Sequence, residues 1–341
     1  MIALSKTDYG ALAACAVAAV VIALLPQWIN LFSLLSLTVY LVMALLALSL
    51  AFIWGFGGIL CFGQAAFFGL GAYAYAVGAI NLADSSWAVL LAVAVPALFA
   101  ALLGYFMFYG GISDVYVGVI TLAVTLILFN LLNASSGSEY RIGEAALGGF
   151  NGIPAIPTLN VPLLPDMILS PEALFIVAGL CLVAVYAGLR LTLGSRFGKT
   201  VIAIRENEQR AALLGYDVRL HKLLVFSIGG AIAGLAGCLY ANWGAFISPG
   251  VFGLAQSAQI IIWVIVGGRG TLLGPILGCI ALQWLVNHLG TQGFIDSGLV
   301  MGLVLMAFVM LLPKGFLPAL QALTRRMTKR SKAELQKEGT P

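Results

Sequence analysis

The sequence predicts an all-α integral membrane protein, a polytopic helical bundle of about ten transmembrane segments with both termini in the cytoplasm. Three observations lead there. Of the 341 residues, 62% are hydrophobic and only 9% charged, with a mean hydropathy of +1.06, which leaves too little charge to cover a soluble domain. Charge-free runs near the length needed to cross a hydrocarbon core, about 20 residues, recur along the chain. The sustained apolar–polar alternation of a membrane barrel does not appear.

The first apolar run, 10–26, follows Lys6. No small-residue cleavage site leading into a polar mature domain comes after it, so it reads as an uncleaved span rather than a signal peptide. Runs at 32–53, 59–81, 87–109, 115–133 and 172–190 follow, then 223–243, 254–267, 272–290 and 298–313; the run 254–267 is short for a full crossing. The basic residues set the orientation. Seven lie between Arg190 and Lys222 and seven between Lys314 and Lys337, leaving Lys6, Arg141 and Arg269. The positive-inside rule places both clusters in the cytoplasm. The number of runs is even before Arg190 and even again between the clusters, so Lys6 and the turn GGRGT at 267–271 fall inside as well. A transmembrane domain over 1–323 and a basic cytoplasmic tail at 324–341 follow from this count.

The same count puts loop 134–171 outside, where Glu139, Glu144 and Asp166, with Glu172 just past its end, outnumber Arg141. Its prolines, Pro154, Pro157, Pro162, Pro165 and Pro171, exclude one regular helix. A loop this long is either a disordered connector or a compact docking surface.

The stretch 54–79, WGFGGILCFGQAAFFGLGAYAYAVGA, holds seven glycines in twenty-six positions and no charge. In water each helical glycine costs about 1 kcal/mol against alanine. In lipid, small residues let helices approach closely, so Gly55, Gly58, Gly63, Gly69 and Gly71 are read as helix-packing positions. They also allow a helix to break where protein or a water-filled cavity satisfies the freed backbone.

The chemistry-bearing residues exclude more than they assign. All thirteen acidic residues fall in loops or at the ends of runs, so the bilayer interior offers no carboxylate to a coupling proton or sodium ion. No nucleophile–base pair, paired carboxylates or H-E-x-x-H appears in a shared context, and Cys15, Cys61, Cys181, Cys238 and Cys279 lack ligand or disulfide spacing. No catalytic residue, metal, cofactor or nucleic-acid partner is expected. GSRFGKT at 194–200 imitates a phosphate-binding loop but has three residues between its glycines where four are needed, and GRGTLLG at 268–274 has no βαβ unit around it. His288 reads as packed or interface-facing, and His221 as solvated. Among polar groups within the runs, Gln64, Thr121 and Asn130 are candidates to line a translocation pathway; the competing reading is that they bond to neighbouring helices.

The most informative hydrophilic stretch is SRFGKTVIAIRENEQRAALLGYDVRLHKLLVF, 195–226. Val201, Ile204, Ala211 and Leu214 have helical spacing, which predicts an amphipathic helix from about Lys199 to Leu214. Glu206 and Arg210 stand at i and i+4, and Gly215 sits where a helix C-terminus favours glycine. Its mixed charges suit a groove on a cytoplasmic partner better than a lipid surface.

Several motifs in order give the chain a resemblance to a known family: GFGGILCFGQAAFFGLGAYA at 55–74, VGVITLAV at 117–124, GGFNGIP at 148–154, AIRENEQRAALLGYD at 203–217, AGLAGCLYA, FISP and VGGRGTLLGP between 233 and 275, and LLPKG at 311–315. Over nearly its whole length it resembles the inner-membrane permeases of bacterial branched-chain amino acid ABC importers. The resemblance implies a cytoplasmic coupling helix within 191–222 that docks on an ATPase. It further implies two ABC ATPase subunits, a second homologous permease and a periplasmic solute-binding protein, in a multi-pass protein surrounded by membrane lipid.

ABC importer permeases commonly carry E-A-A-x-x-x-G at the coupling helix; here Gln209-Arg210-Ala211-x-x-x-Gly215 matches at the second alanine and the glycine. On this basis Arg205, Glu206, Asn207, Glu208 and Arg210 are expected to make polar contacts in coupling, and Ala211 and Gly215 to pack closely. Close relatives carry urea or short-chain amides, and GYD at 215–217 is similar to that branch. An autonomous secondary transporter or channel, and a membrane scaffold without transport, are the alternatives of another class.

Overall fold

The computed structural model describes residues 6–290 other than 83, 138, 162 and 163, together with 302, 303 and 306. The predicted segment 298–313 is described at those three positions only, and the tail 324–341 lies outside the described residues.

Each predicted run up to residue 290 overlaps a helix. The helices are α1 (Lys6–Leu24), α2 (Leu31–Leu50), α3 (Gln64–Asn81), α4 (Ser85–Tyr109), α5 (Asp114–Ala134), α6 (Pro171–Gly194), α7 (Arg196–Glu206), α8 (Glu208–Leu213), α9 (Val218–Gly244), α10 (Leu254–Gly267) and α11 (Leu273–Gly290). Among the described residues, five stretches are long and apolar enough to cross a membrane: α2 with the turn that extends it to Phe56, α4, α5, α6 and α9. Polar side chains mark many of the starts. Asn30, Asp84, Ser170, Ser195, Asn207 and Asp217 each accept a hydrogen bond from a backbone N–H of the turn that follows, the usual device for orphaned N-terminal donors.

α3, α4 and α9 form the tightest part of the bundle, and glycine sets their spacing. A Cβ on Gly71 of α3 would lie 2.3 Å from the Gly234 Cα of α9, and one on Gly237 would lie 2.0 Å from the Phe68 carbonyl oxygen. Gly234 in turn abuts Pro96 and the Ala92 carbonyl of α4. Around this seam, Phe67 meets Phe226 edge-on at 5.3 Å between ring centroids, and Phe226 meets Phe108 at 5.8 Å. Trp263, Phe52, Phe175 and Phe252 are fully buried. At 14 residues, α10 is about 21 Å long, too short for a hydrocarbon core of about 30 Å. It folds back on α11 through the turn that holds Arg269, where Gly267 meets the backbone of Gly274 and Gly278.

The structure corrects three local expectations. The run 59–81 is not one helix: α2 ends in a π-helical turn, Ala51–Phe56, and α3 begins only at Gln64, with an irregular, largely buried stretch between. The amphipathic helix expected over Lys199–Leu214 is two helices, because Asn207 leaves helical geometry (φ −159°, ψ 101°) and caps α8. That break separates Glu206 from Arg210, and Glu206 bonds Arg205 instead. Leu214, placed on the apolar face by its spacing, is 72% exposed, since α8 ends before it. His221 is half-buried rather than solvated, stacked on Phe197 at 5.4 Å.

Loop 134–171 takes the compact alternative. It forms two short antiparallel hairpins, β1 (Arg141–Ile142) with β2 (Ala145–Ala146) and β3 (Asn160–Val161) with β4 (Leu164–Ile168). Buried polar groups hold it to the bundle: the Tyr75 hydroxyl donates to the Pro157 carbonyl at 2.9 Å, and Asn242 accepts from the Leu159 N–H at 2.7 Å. Ile153 and Ile247 exchange backbone bonds. α5 starts at Asp114, beside Lys222 near the start of α9, and runs to this loop. The loop and the α7–α8 segment therefore lie at opposite ends of the bundle.

Candidate functional site

Of the predicted residues, Gln64, Thr121, Arg205, Gly55, Gly58 and Gly63 gather around the broken helix. The π-helical turn has the Gly57 N–H bonded to Phe52, and the chain beyond bonds back from Gly58 to Trp54 and from Ile59 to Ile53. From there to Gln64 the backbone has no helix of its own. Neighbouring elements satisfy part of it: the Phe62 N–H donates to Thr121 Oγ1 at 3.2 Å, while Thr121 donates to the Gly118 carbonyl at 2.9 Å. Irregular backbone at membrane depth is tolerated on this condition. Gly63 seats the stretch against α5, since a Cβ there would lie 2.3 Å from the Thr121 carbonyl oxygen.

Gln64 opens α3 and is 1% exposed. Its Nε2 donates to Ser49 Oγ of α2 at 2.7 Å and to the Gly229 carbonyl of α9 at 3.3 Å, and its Oε1 has no partner among the described residues. Ser49 already donates to Leu46, so both partners call for a donor and the amide is oriented accordingly. Ser49 lies two residues before the turn and six before Gly55, so Gln64 meets α2 about 9 Å along its axis from Gly55. Asn130 is elsewhere: it lies on the exposed flank of α5 and bonds its own helix at Leu126. Of the packing glycines, Gly55 abuts the Arg269 carbonyl, Gly58 the Arg205 side chain and Gly69 the Phe252 ring.

The α7–α8 segment stands on a small core of its own, Ile204, Ala211 and Val218. Ala211 thus packs inside the chain. Gly215 has open space around it but a φ of +86°, so glycine is used there for the left-handed turn that ends α8. Leu213 is 89% exposed, and Arg210 and Tyr216 are also exposed.

Lys222, only 11% exposed at its side chain, reaches Glu208 of α8 at 2.6 Å and Asp114 of α5 at 3.2 Å. Both carboxylates are about half exposed, so this bridge fixes geometry more than it adds stability. It borders a polar cavity of about 360 Å³ whose lining includes Arg219, which lies over the Tyr109 ring at 5.9 Å. Among the described residues no cluster of His, Cys, Asp or Glu is placed to hold a metal ion. GSRFGKT is the α6–α7 corner, with Ser195 capping α7, and GRGTLLG is the α10–α11 turn.

A polytopic helical bundle with a broken helix in its core, and a hydrophilic two-helix segment seated against that break, has the make-up of the membrane component of a transport system. The chain belongs to the family described as branched-chain amino acid transport system / permease component, whose model matches residues 30–312. It is an inner-membrane protein.

The chain is 28% identical over 309 residues to the high-affinity branched-chain amino acid transport system permease protein LivM of Escherichia coli, covering 82% of this chain and 69% of that protein. The Salmonella typhimurium LivM is 27% identical over the same shares. The autoinducer 2 import system permease protein LsrC of Yersinia pseudotuberculosis is 28% identical, over 56% of this chain and 53% of its own. No solved structure matches the chain.

Sequence reasoning located the glycines, Gln64, Thr121 and the hydrophilic segment. It missed what joins them, the bond from Arg205 Nη1 to the Gly55 carbonyl at 2.6 Å. It also missed Lys222, which follows Arg219 as the second of two basic residues just inside the start of a long apolar helix.

Proposed function

We propose that the chain is the permease subunit of an ABC importer. It provides the pathway for branched-chain amino acids delivered by a periplasmic binding protein, beside a second homologous permease, and is driven by two partner ATPases. On this reading the chain hydrolyses no ATP itself. The observation that carries it is the tip of the α7–α8 segment. Leu213 and Leu214, apolar and exposed at 89% and 72%, end a short helix whose other face is anchored on Ile204, Ala211 and Val218. A rigid apolar tip on a hydrophilic segment suits a groove on a cytoplasmic partner.

The α7–α8 end then faces the cytoplasm, as do both termini, and the hairpins of loop 134–171 meet the binding protein outside. Arg210 and Tyr216 frame the docking tip, while Asn207 and Glu208 set its angle through the cap and the Lys222 bridge. Gln64 and Thr121 lie beside the pathway at the helix break, and Asn130 lies on the α5 flank that the bundle leaves open to a second permease. The relatives named for branched-chain amino acid transport support the cargo. Urea or short-chain amides are the alternative cargo, resting on the GYD at 215–217.

The test is reconstitution with partner ATPases and binding protein in vesicles. Leucine uptake should require ATP and all subunits; uptake driven by an ion gradient in the chain alone would instead make it a secondary transporter. A second expected result concerns Gly215. Valine there strains a left-handed residue by about 1–2 kcal/mol without a clash. G215V should therefore lower ATPase copurification several-fold while leaving the thermal unfolding of the membrane bundle unchanged. Undiminished copurification would remove α8 from the docking surface.

A further inference from the structure

Arg205 is the last residue but one of α7, yet its guanidinium points into the bundle. Nη1 donates to the Gly55 carbonyl at 2.6 Å across 150 positions of sequence, a short, charge-assisted bond. Nε and Nη2 both hold Glu206 Oε1, so the planar fork is oriented by one partner and delivers its remaining edge to the other. The contact is closed from the opposite side: Gly58, at φ +74°, lies so near that a Cβ would be 2.8 Å from Arg205 Cγ. Gly55 meanwhile sits on the Arg269 carbonyl of the α10–α11 turn, and the Arg269 guanidinium lies over the Trp54 ring at 5.5 Å. Two arginines from different elements thus bracket one π-helical turn.

We infer that Arg205 is the positioning residue that carries movement of the α7–α8 segment into the helix break. The inference rests on the reading of that segment as the docking site for an ATPase. Beyond the bonds of Gly57, Gly58 and Ile59 back to the π-helical turn, the stretch 57–63 has no helical ladder of its own. One end is held by Arg205 at Gly55 and Gly58, and the other by Thr121 at Phe62 and Gly63. A shift of α7 that draws Arg205 away releases the Gly55 carbonyl and the cover over Gly58. The displacement then passes to Gly63 and Gln64, because the intervening stretch is packed against its neighbours and has no slack helix to absorb it. Gln64 links α2 to α9, so the same movement reaches the tight α3–α4–α9 seam. Arg205 belongs to the transmission between docking surface and core rather than to the docking surface.

The experiment uses R205Q and R205K in the full complex in vesicles, with ATP hydrolysis and leucine uptake measured together, and hydrogen exchange over residues 57–63. R205Q should copurify with the ATPases and hydrolyse ATP within about twofold of the parent. Its leucine carried per ATP should fall at least tenfold, and exchange over 57–63 should rise while exchange in α3 and α9 stays constant. R205K, which retains the charge but not the fork, should fall between. Loss of ATPase copurification in R205Q would put Arg205 on the docking surface and overturn the inference. An unchanged transport-to-ATP ratio with unchanged exchange over 57–63 would overturn it too. Should the parent chain bind no ATPase, the docking reading fails by itself, and exchange over 57–63 in the isolated R205Q chain still decides whether Arg205 holds the break.

Discussion

Replacing Gly71 with valine is expected to leave little or no folded protein. A Cβ at this position would fall 2.3 Å from both Cα and O of Gly234 and 2.7 Å from its carbonyl carbon. All three atoms are backbone, so no rotamer change relieves the contact. Gly234 has nowhere to go, because a Cβ of its own would lie 2.2 Å from Pro96 Cγ and 2.3 Å from the Ala92 carbonyl oxygen. α3 and α9 would have to separate, carrying α4 with them, and the contacts of Phe67, Phe226 and Phe108 would loosen together. Overpacking a core costs about 1–3 kcal/mol where side chains can give. Against backbone on both sides we expect at least about 4 kcal/mol, a large part of the stability of a typical domain. The control is G188A on α6, where nothing lies within 4 Å. It should leave the unfolding midpoint in detergent unchanged or slightly raised, since alanine is the better helix former. A monodisperse, cooperatively unfolding G71V would show that the α3–α9 contact is looser than this geometry.

The sequence announced helix positions well and helix breaks poorly, for one physical reason. Apolar length is a property of the residues alone, so the runs at 87–109, 115–133 and 254–267 match α4, α5 and α10 within a few residues. A break is set by what satisfies the freed backbone. The glycines at 55–63 permitted one, but its end at Gln64 depends on Thr121 and Thr125 of α5, far away in sequence. Asn207 was more legible than it was read: an asparagine three residues before the N–H it caps is a helix-start signal. The apolar spacing of Val201, Ile204 and Ala211 continues across it and masks the cap. Loop 134–171 was legible as non-helical, while its compactness rests on Tyr75, Asn242 and Ile247, residues of α3, α9 and the chain beyond α9. The candidate site followed the same division. Arg205, the packing glycines and Gln64 stood out singly, by charge, by size and by polarity in an apolar run; that Arg205 meets Gly55 and Gly58 is a tertiary fact.

Gln64→Leu is the second large effect expected, and it separates a structural tie from a solute contact. Leucine keeps the volume but removes the Nε2 donor that reaches Ser49 at 2.7 Å and Gly229 at 3.3 Å. Losing one partner of a buried hydrogen bond costs about 1–3 kcal/mol. Part is offset here, because Oε1 is itself buried without a partner among the described residues and leucine removes that unsatisfied group as well. The net expectation is a loss of about 2 kcal/mol in bundle stability. Ser49→Ala should cost less, since Gln64 Nε2 keeps the Gly229 carbonyl as its acceptor. The two substitutions share one bond across α2 and α3, so their double mutant should be less destabilised than the sum by about 1 kcal/mol. Additive losses would break the tie between Gln64 and Ser49. If Gln64 acts only through this tie, uptake per folded complex in Q64L should keep the parent half-saturation for the proposed solute, leucine. A half-saturation shifted several-fold at equal folded amount would place the unpartnered Oε1 in contact with the solute.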